Sequence, residues 1–114
     1  MNIDQELSTG NVFLNISASG EDEVVEKILE SGWVRIERIV SHGRATPEDD
    51  WYDQVRDEWV VLLKGRAGLL IEGEDDPRIL KPGDYIYLPA RLRHRVEWTS
   101  TDEACIWLAV HFQG

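Results

Sequence analysis

From Trp33 to Phe112 apolar residues recur with a period of two in short runs separated by turn residues, which confines the chain to a β sandwich or barrel. Strands are expected over residues 33–40, 58–64, 68–72, 85–89, 95–99 and 104–112. The separators are Ser41-His42-Gly43, Lys64-Gly65, the Gly73 to Pro77 run and Lys81-Pro82-Gly83-Asp84. Pro82-Gly83 suits the central positions of a type II turn, whose second residue needs a positive φ that glycine adopts at no steric cost. The runs at 58–64 and 104–112 are apolar on both faces. Something must therefore cover the outer face, and a second copy of the chain is one such cover, making a homodimer the expected assembly.

Before Trp33 the pattern differs. Residues 11–16 alternate weakly and are expected to form an edge strand. Ser19 with Asp22 resembles a helix capping box, Val25, Ile28 and Leu29 fall at helical spacing, and Gly32 is placed as a stop. One short N-terminal α-helix is expected there, packed on the sheet. The organisation is then a single domain, with an arm over residues 1–32 and a barrel over 33–114.

The chain has 114 residues and a formal charge of -10, from 22 acidic against 12 Lys and Arg side chains. Affinity for nucleic acid comes from neutralised phosphates, so an acidic small domain is expected to bind neither nucleic acid nor anionic membranes. The longest apolar run, 104–110, is too short to span a bilayer, and the first ten residues carry no basic-then-apolar leader pattern. A single cysteine, Cys105, excludes an internal disulfide, and the expected location is the cytoplasm.

Gly83, Pro89 and His94 stand at the spacing G-x5-P-x4-H, and Glu58 with Gly65 at E-x6-G. These residues resemble the two sequence motifs of cupins. Arg91 replaces the second motif's inner glycine, Trp98 its asparagine, and W-Y-D-Q-V-R-D occupies the place of the first motif's two histidines. The phrases WYDQ…DEWV and LKPGDYIYLPA…HRVEWT are similar to small stand-alone cupins of generally unassigned role. The resemblance implies an all-β double-stranded β-helix, a jelly-roll barrel, over residues 33–112.

In metal-binding cupins two histidines and a glutamate of the first motif join a histidine of the second around Fe, Mn, Ni or Zn. Here only Glu58 and His94 remain. A four-residue gap before Glu58 puts Trp51 and Asp53 at the histidine places, giving Asp53, Glu58 and His94 as the ligand set. A three-residue gap puts Tyr52 and Gln54 there, and Gln54 is the weaker donor.

Three functions stay open at this level. One is a binding or enzyme-like module holding a small polar or aromatic molecule, with Glu58 and His94 as the reactive pair and Tyr52, Gln54, Trp98 and His111 contacting the ligand. Another is a dioxygenase or isomerase that uses a divalent transition metal on Asp53 or Gln54, Glu58 and His94. The last is a homodimeric scaffold without ligand. His111 enters because it shares strand parity with Trp107 and Ala109, the face expected to point inward.

Overall fold

In the computed structural model, which describes residues 7–16, 23–43 and 50–113, every regular element is a strand. Eight run in order: β1 (Val24–Ser31), β2 (Val34–Ser41), β3 (Asp57–Lys64), β4 (Ala67–Ile71), β5 (Arg78–Leu80), β6 (Tyr85–Leu88), β7 (His94–Thr99) and β8 (Cys105–Phe112). They form a five-stranded sheet ordered β1-β2-β8-β3-β6 and a three-stranded sheet ordered β5-β4-β7. All pairings are antiparallel. Buried Leu62, Leu69, Leu80, Leu88, Trp107 and Ala109 meet between the sheets as the core. No described helix is long and apolar enough to cross a membrane.

The expected N-terminal helix is a strand. Its capping residues, Ser19 and Asp22, lie outside the described residues, but Val24–Ser31 pairs along its length with β2. A register shift between Lys27 and Leu29 leaves Ile28 as an extra residue in the ladder. A bulge of this kind lengthens the local side-chain period from two to three, and so imitates helical spacing in the sequence. Gly32 is a hairpin turn residue rather than a helix stop: its φ is +56° and Ser31 pairs with Val34 around it.

The expected strand over 11–16 is a turn. The Phe13 amide donates to Asn11 Oδ1 at 2.8 Å, the Leu14 amide donates to the Asn11 carbonyl at 3.1 Å, and Asn15 has φ +58°. Asparagine side chains compete with a ladder for backbone groups, and here they win. The turn is held by Arg38, whose buried guanidinium donates to the carbonyls of Val12, Leu14 and Asn15 and pairs with Glu26.

The Pro82-Gly83 turn has the expected form. Gly83 has φ +94°, and the Asp84 amide donates to the Lys81 carbonyl at 2.9 Å. β5, at three residues, is too short to show a period and has no counterpart among the expected strands.

Arg91 has φ +69°, the region where the cupin motif places its glycine. Its amide donates to the Gln54 carbonyl at 2.7 Å, a bond any residue here would make, and the arginine side chain itself meets Asp53 at 3.2 Å. The ion pair is exposed and contributes little, whereas a side chain at positive φ costs about 1 kcal/mol. Arg91→Gly is therefore expected to leave stability unchanged or raise it by up to about 1 kcal/mol. A urea midpoint that falls markedly would show that the Arg91–Asp53 pair outweighs the backbone strain.

Candidate functional site

The inward side chains of both sheets line an open-mouthed cavity of about 230 Å³. The strand registers stack its walls in layers. Arg35, His111 and Glu58 lie side by side across β2, β8 and β3, and His94 faces them from β7. Deeper along the strands Ile39 stands beside Trp107, with Val60, Leu69 and Val96 around them, forming an apolar waist. At the far end Ser41 and Thr99 line the wall.

Two histidine–glutamate pairs occupy the polar layer. His94 Nε2 stands 3.9 Å from Glu58 Oε1, and His111 Nε2 lies 2.9 Å from Glu37 Oε1. All three of Glu58, His94 and His111 are buried. His94 is positioned from both sides. Its backbone exchanges two hydrogen bonds with Tyr52, at 2.8 and 3.2 Å, and the two rings lie 5.4 Å apart. Its Nδ1 is 3.1 Å from the Leu92 carbonyl, which can only accept, so Nδ1 carries the proton and Nε2 presents a lone pair toward Glu58.

Burial sets the charges here. Desolvation, with repulsion from Glu37 and Glu23, pushes the Glu58 carboxyl up to about 7. Burial lowers the His94 pKa against the opposing pull of the Leu92 carbonyl. Burial likewise lowers His111, with Arg35 and Arg56 acting in the same sense and Glu37 opposing. Near neutral pH the pair is thus a carboxyl poised between its two forms beside an uncharged imidazole, and 3.9 Å leaves both free to bond a third group.

Of the residues singled out in sequence, Tyr52, Gln54, Glu58, His94 and His111 line this cavity. Two others stand elsewhere. Asp53 pairs with Arg91 at the surface. Trp98 covers Gly68 across the β4–β7 pair, where a Cβ on the glycine would come within 2.4 Å of its Nε1. A register shift between Gly68 and Leu69 changes the parity of β7, so that Val96 and Thr99 face inward instead.

A transition metal in this barrel would need at least three converging donors. With Asp53 turned away, the polar layer offers two separate His–Glu pairs, and among the described residues no three His, Cys, Asp or Glu side chains come together to hold an ion. The Asp53, Glu58 and His94 set is thus not assembled, while Gln54, the weaker donor of the other register, lines the cavity with Glu58 and His94.

The family model described as "Cupin domain" matches residues 38–111. The chain is a cupin. A solved protein of Ralstonia eutropha JMP134, provisionally assigned as a mannose-6-phosphate isomerase, shares 43% identity over 93% of this chain and 98% of its own, with a TM-score of 0.90. An RmlC-like cupin of Methanocaldococcus jannaschii with a double-stranded β-helix fold shares 20% identity over 87% of each chain, at a TM-score of 0.67. A DMSP lyase of Ruegeria pomeroyi shares 21% identity over 79% of this chain and 46% of its own, at 0.65. The last two speak for the fold alone. A search of curated proteins finds no match.

This cupin also carries cavity residues absent from the expected set: Arg35, Glu37 and Ser41. All belong to β2, whose other face, Val34, Ile36, Arg38 and Val40, is apolar but for Arg38. Ordinary amphipathic reading turns the apolar face toward the core, and here both faces have a use. A charged face on a strand paired on both sides was the available signal.

Proposed function

We propose that this cupin binds a small molecule in its barrel and moves a proton on it without a metal, through Glu58 and His94. The observation that carries the reading is the Glu58 carboxyl, brought to about 7 beside a neutral His94 Nε2 in the buried polar layer of the barrel. A general acid or base works best with a pKa near the operating pH. In its protonated form Glu58 donates to a carbonyl oxygen of the substrate while His94 Nε2 takes the proton from the neighbouring carbon. Return of the proton from His94 to the former carbonyl carbon, as the neighbouring hydroxyl gives its proton to the Glu58 carboxylate, completes an isomerisation; return to the same carbon, as the enol hydroxyl gives its proton back to Glu58, completes an exchange. The cavity of about 230 Å³ suits a metabolite smaller than a drug-sized ligand. The isomerase assignment of the Ralstonia relative supports the reaction class, because aldose–ketose isomerisation is such a proton shift.

Deuterium wash-in from D2O into a panel of small hydroxy- and amino-carbonyl compounds, followed by proton NMR with metal-stripped protein, tests this. Exchange at the carbon beside the carbonyl is expected, with a loss of about 100-fold or more in Glu58→Gln. Exchange that needs added metal, or that survives the substitution, overturns the proposal.

We also propose that two copies pair through the outer face of the five-stranded sheet. There Trp59 contacts Tyr85, Tyr87 stacks on Phe112, and the two tyrosines are 66% and 50% exposed. Light scattering should return about twice the 13.1 kDa chain mass, and Tyr85→Lys should lower it. A wild-type mass of one chain overturns the pairing. The buried, unpaired thiol of Cys105 supports a reducing, cytoplasmic location.

A further inference from the structure

The inward residues of β2 run Arg35, Glu37, Ile39 and Ser41, passing from the charged layer through the apolar waist to the far end of the cavity. Ser41 is 1% exposed, and its hydroxyl has no hydrogen-bond partner among the described residues. A buried hydroxyl without a partner is costly, and buried polar groups in folded proteins are bonded as a rule. Its neighbour across the ladder is Cys105, whose thiol is directed to the Arg66 carbonyl instead. Ser41 lines the far end of the cavity, and its hydroxyl is a polar group there left without a partner among the described residues.

The opposite end has a definite charge. The lining carries three carboxylates, Glu23, Glu37 and Glu58, and one guanidinium, Arg35, which Glu37 already holds at 3.2 Å. Burial, reinforced by repulsion from Glu37 and Glu23, holds the Glu58 carboxyl up at about 7. A cation placed among them relieves that repulsion. A phosphate dianion adds to it, and among the described lining residues Arg35 is the one guanidinium to offset the cost, with Arg56 acting on His111 from outside the lining.

We infer that the cavity takes an extended small molecule with a protonated amine at the Glu37–Glu58 end, an apolar body at the waist and a hydrogen-bonding group against Ser41. The assignment rests on the cavity being the ligand site proposed above and names the class of its ligand. Four residues of strand separate Glu37 from Ser41, about 13 Å at ~3.3 Å per residue. Allowing about 3 Å for a hydrogen bond at each end leaves roughly 7 Å between the ligand's polar groups.

Tyramine has this spacing, with an aromatic ring for the waist. Calorimetric binding of tyramine, phenethylamine, 4-ethylphenol and mannose 6-phosphate separates the contributions. Tyramine is expected to bind about tenfold more tightly than phenethylamine, the effect of one buried hydrogen bond. Ser41→Ala should abolish that ratio while leaving phenethylamine affinity unchanged, which also shows that the cavity is intact. Tyramine should exceed 4-ethylphenol by tenfold or more, a ratio that shrinks in Glu37→Gln, and mannose 6-phosphate should not compete. An unchanged tyramine-to-phenethylamine ratio in Ser41→Ala, or competition by mannose 6-phosphate, overturns the assignment. Deuterium exchange in the absence of amine binding would sink the ligand class alone. Amine binding without exchange would sink the proton-transfer reading alone.

Discussion

Glu58→Gln is expected to make this cupin more stable by about 3 kcal/mol above pH 7, with the gain shrinking toward zero near pH 4.5. The carboxyl moves from 4.5 to about 7 on folding, because the side chain is only 6% exposed and faces Glu37 and Glu23. Between those two values the folded chain holds a proton that the unfolded chain has released. Stability therefore falls as pH rises from 4.5 through 7 and levels off beyond. A shift of that size corresponds to about 3 kcal/mol at 1.36 kcal/mol per unit. Glutamine keeps the shape and a polar end but has no charge to bury, so its profile lacks this fall. His94 and His111, whose folded values are lowered, withdraw stability as pH drops below 6.5. They do so in both proteins and cancel in the difference. Urea titrations at pH 5.5 and 8.5 measure the effect, and parallel shifts at the two values would mean that Glu58 is not held near neutrality. Combined with lost proton exchange, a stability gain would identify Glu58 as a residue retained for chemistry at a cost to the fold.

Gly65→Ala should lose about 4 kcal/mol, combining backbone strain with overpacking. Gly65 turns the chain from β3 into β4 with φ +88°, a conformation that other residues adopt only under strain. A Cβ there would lie 2.5 Å from Cys105 Sγ, 3.1 Å from the Cys105 Cα and 3.2 Å from the Ala104 carbonyl oxygen. The sulfur can be removed but the backbone cannot. Cys105→Ala in the same chain should accordingly return only part of the loss. Gly73→Ala is the internal control, since φ is +95° but nothing lies within 4 Å of its Cβ. It should show the backbone cost alone, about 1–2 kcal/mol. Equal losses at the two glycines, measured by denaturant midpoints, would remove the steric part of this account.

Apart from the three-residue β5, the strands from Val34 onward are legible in sequence because alternation and turn residues agree there. The first strand is not, because the extra residue at Ile28 breaks the period that identifies a strand. The same physics hides part of the cavity. The register shift in β7 puts Thr99 inside and Trp98 outside, and no local pattern records it. Glu58 and His94 are found through their motif spacing, which reports where two distant strands bring them. Arg35 and Glu37 belong to no motif. They are polar residues directed inward on a strand whose outward face is apolar except for Arg38, against the usual arrangement.

The reciprocal backbone bonds between Tyr52 and His94 join the segment before β3 to the start of β7. An amide released from such a pair exchanges with solvent only when the pair opens. Tyr52 and His94 should therefore exchange together, at a rate set by how often that rim parts from the barrel. Each opening lifts Tyr52 off the His94 imidazole, while the pairing of β7 with β4 at Ile71 keeps His94 in the barrel wall. The lifetime of these two amides is thus a clock for how long the acid–base pair stays covered by Tyr52, readable without any knowledge of the substrate.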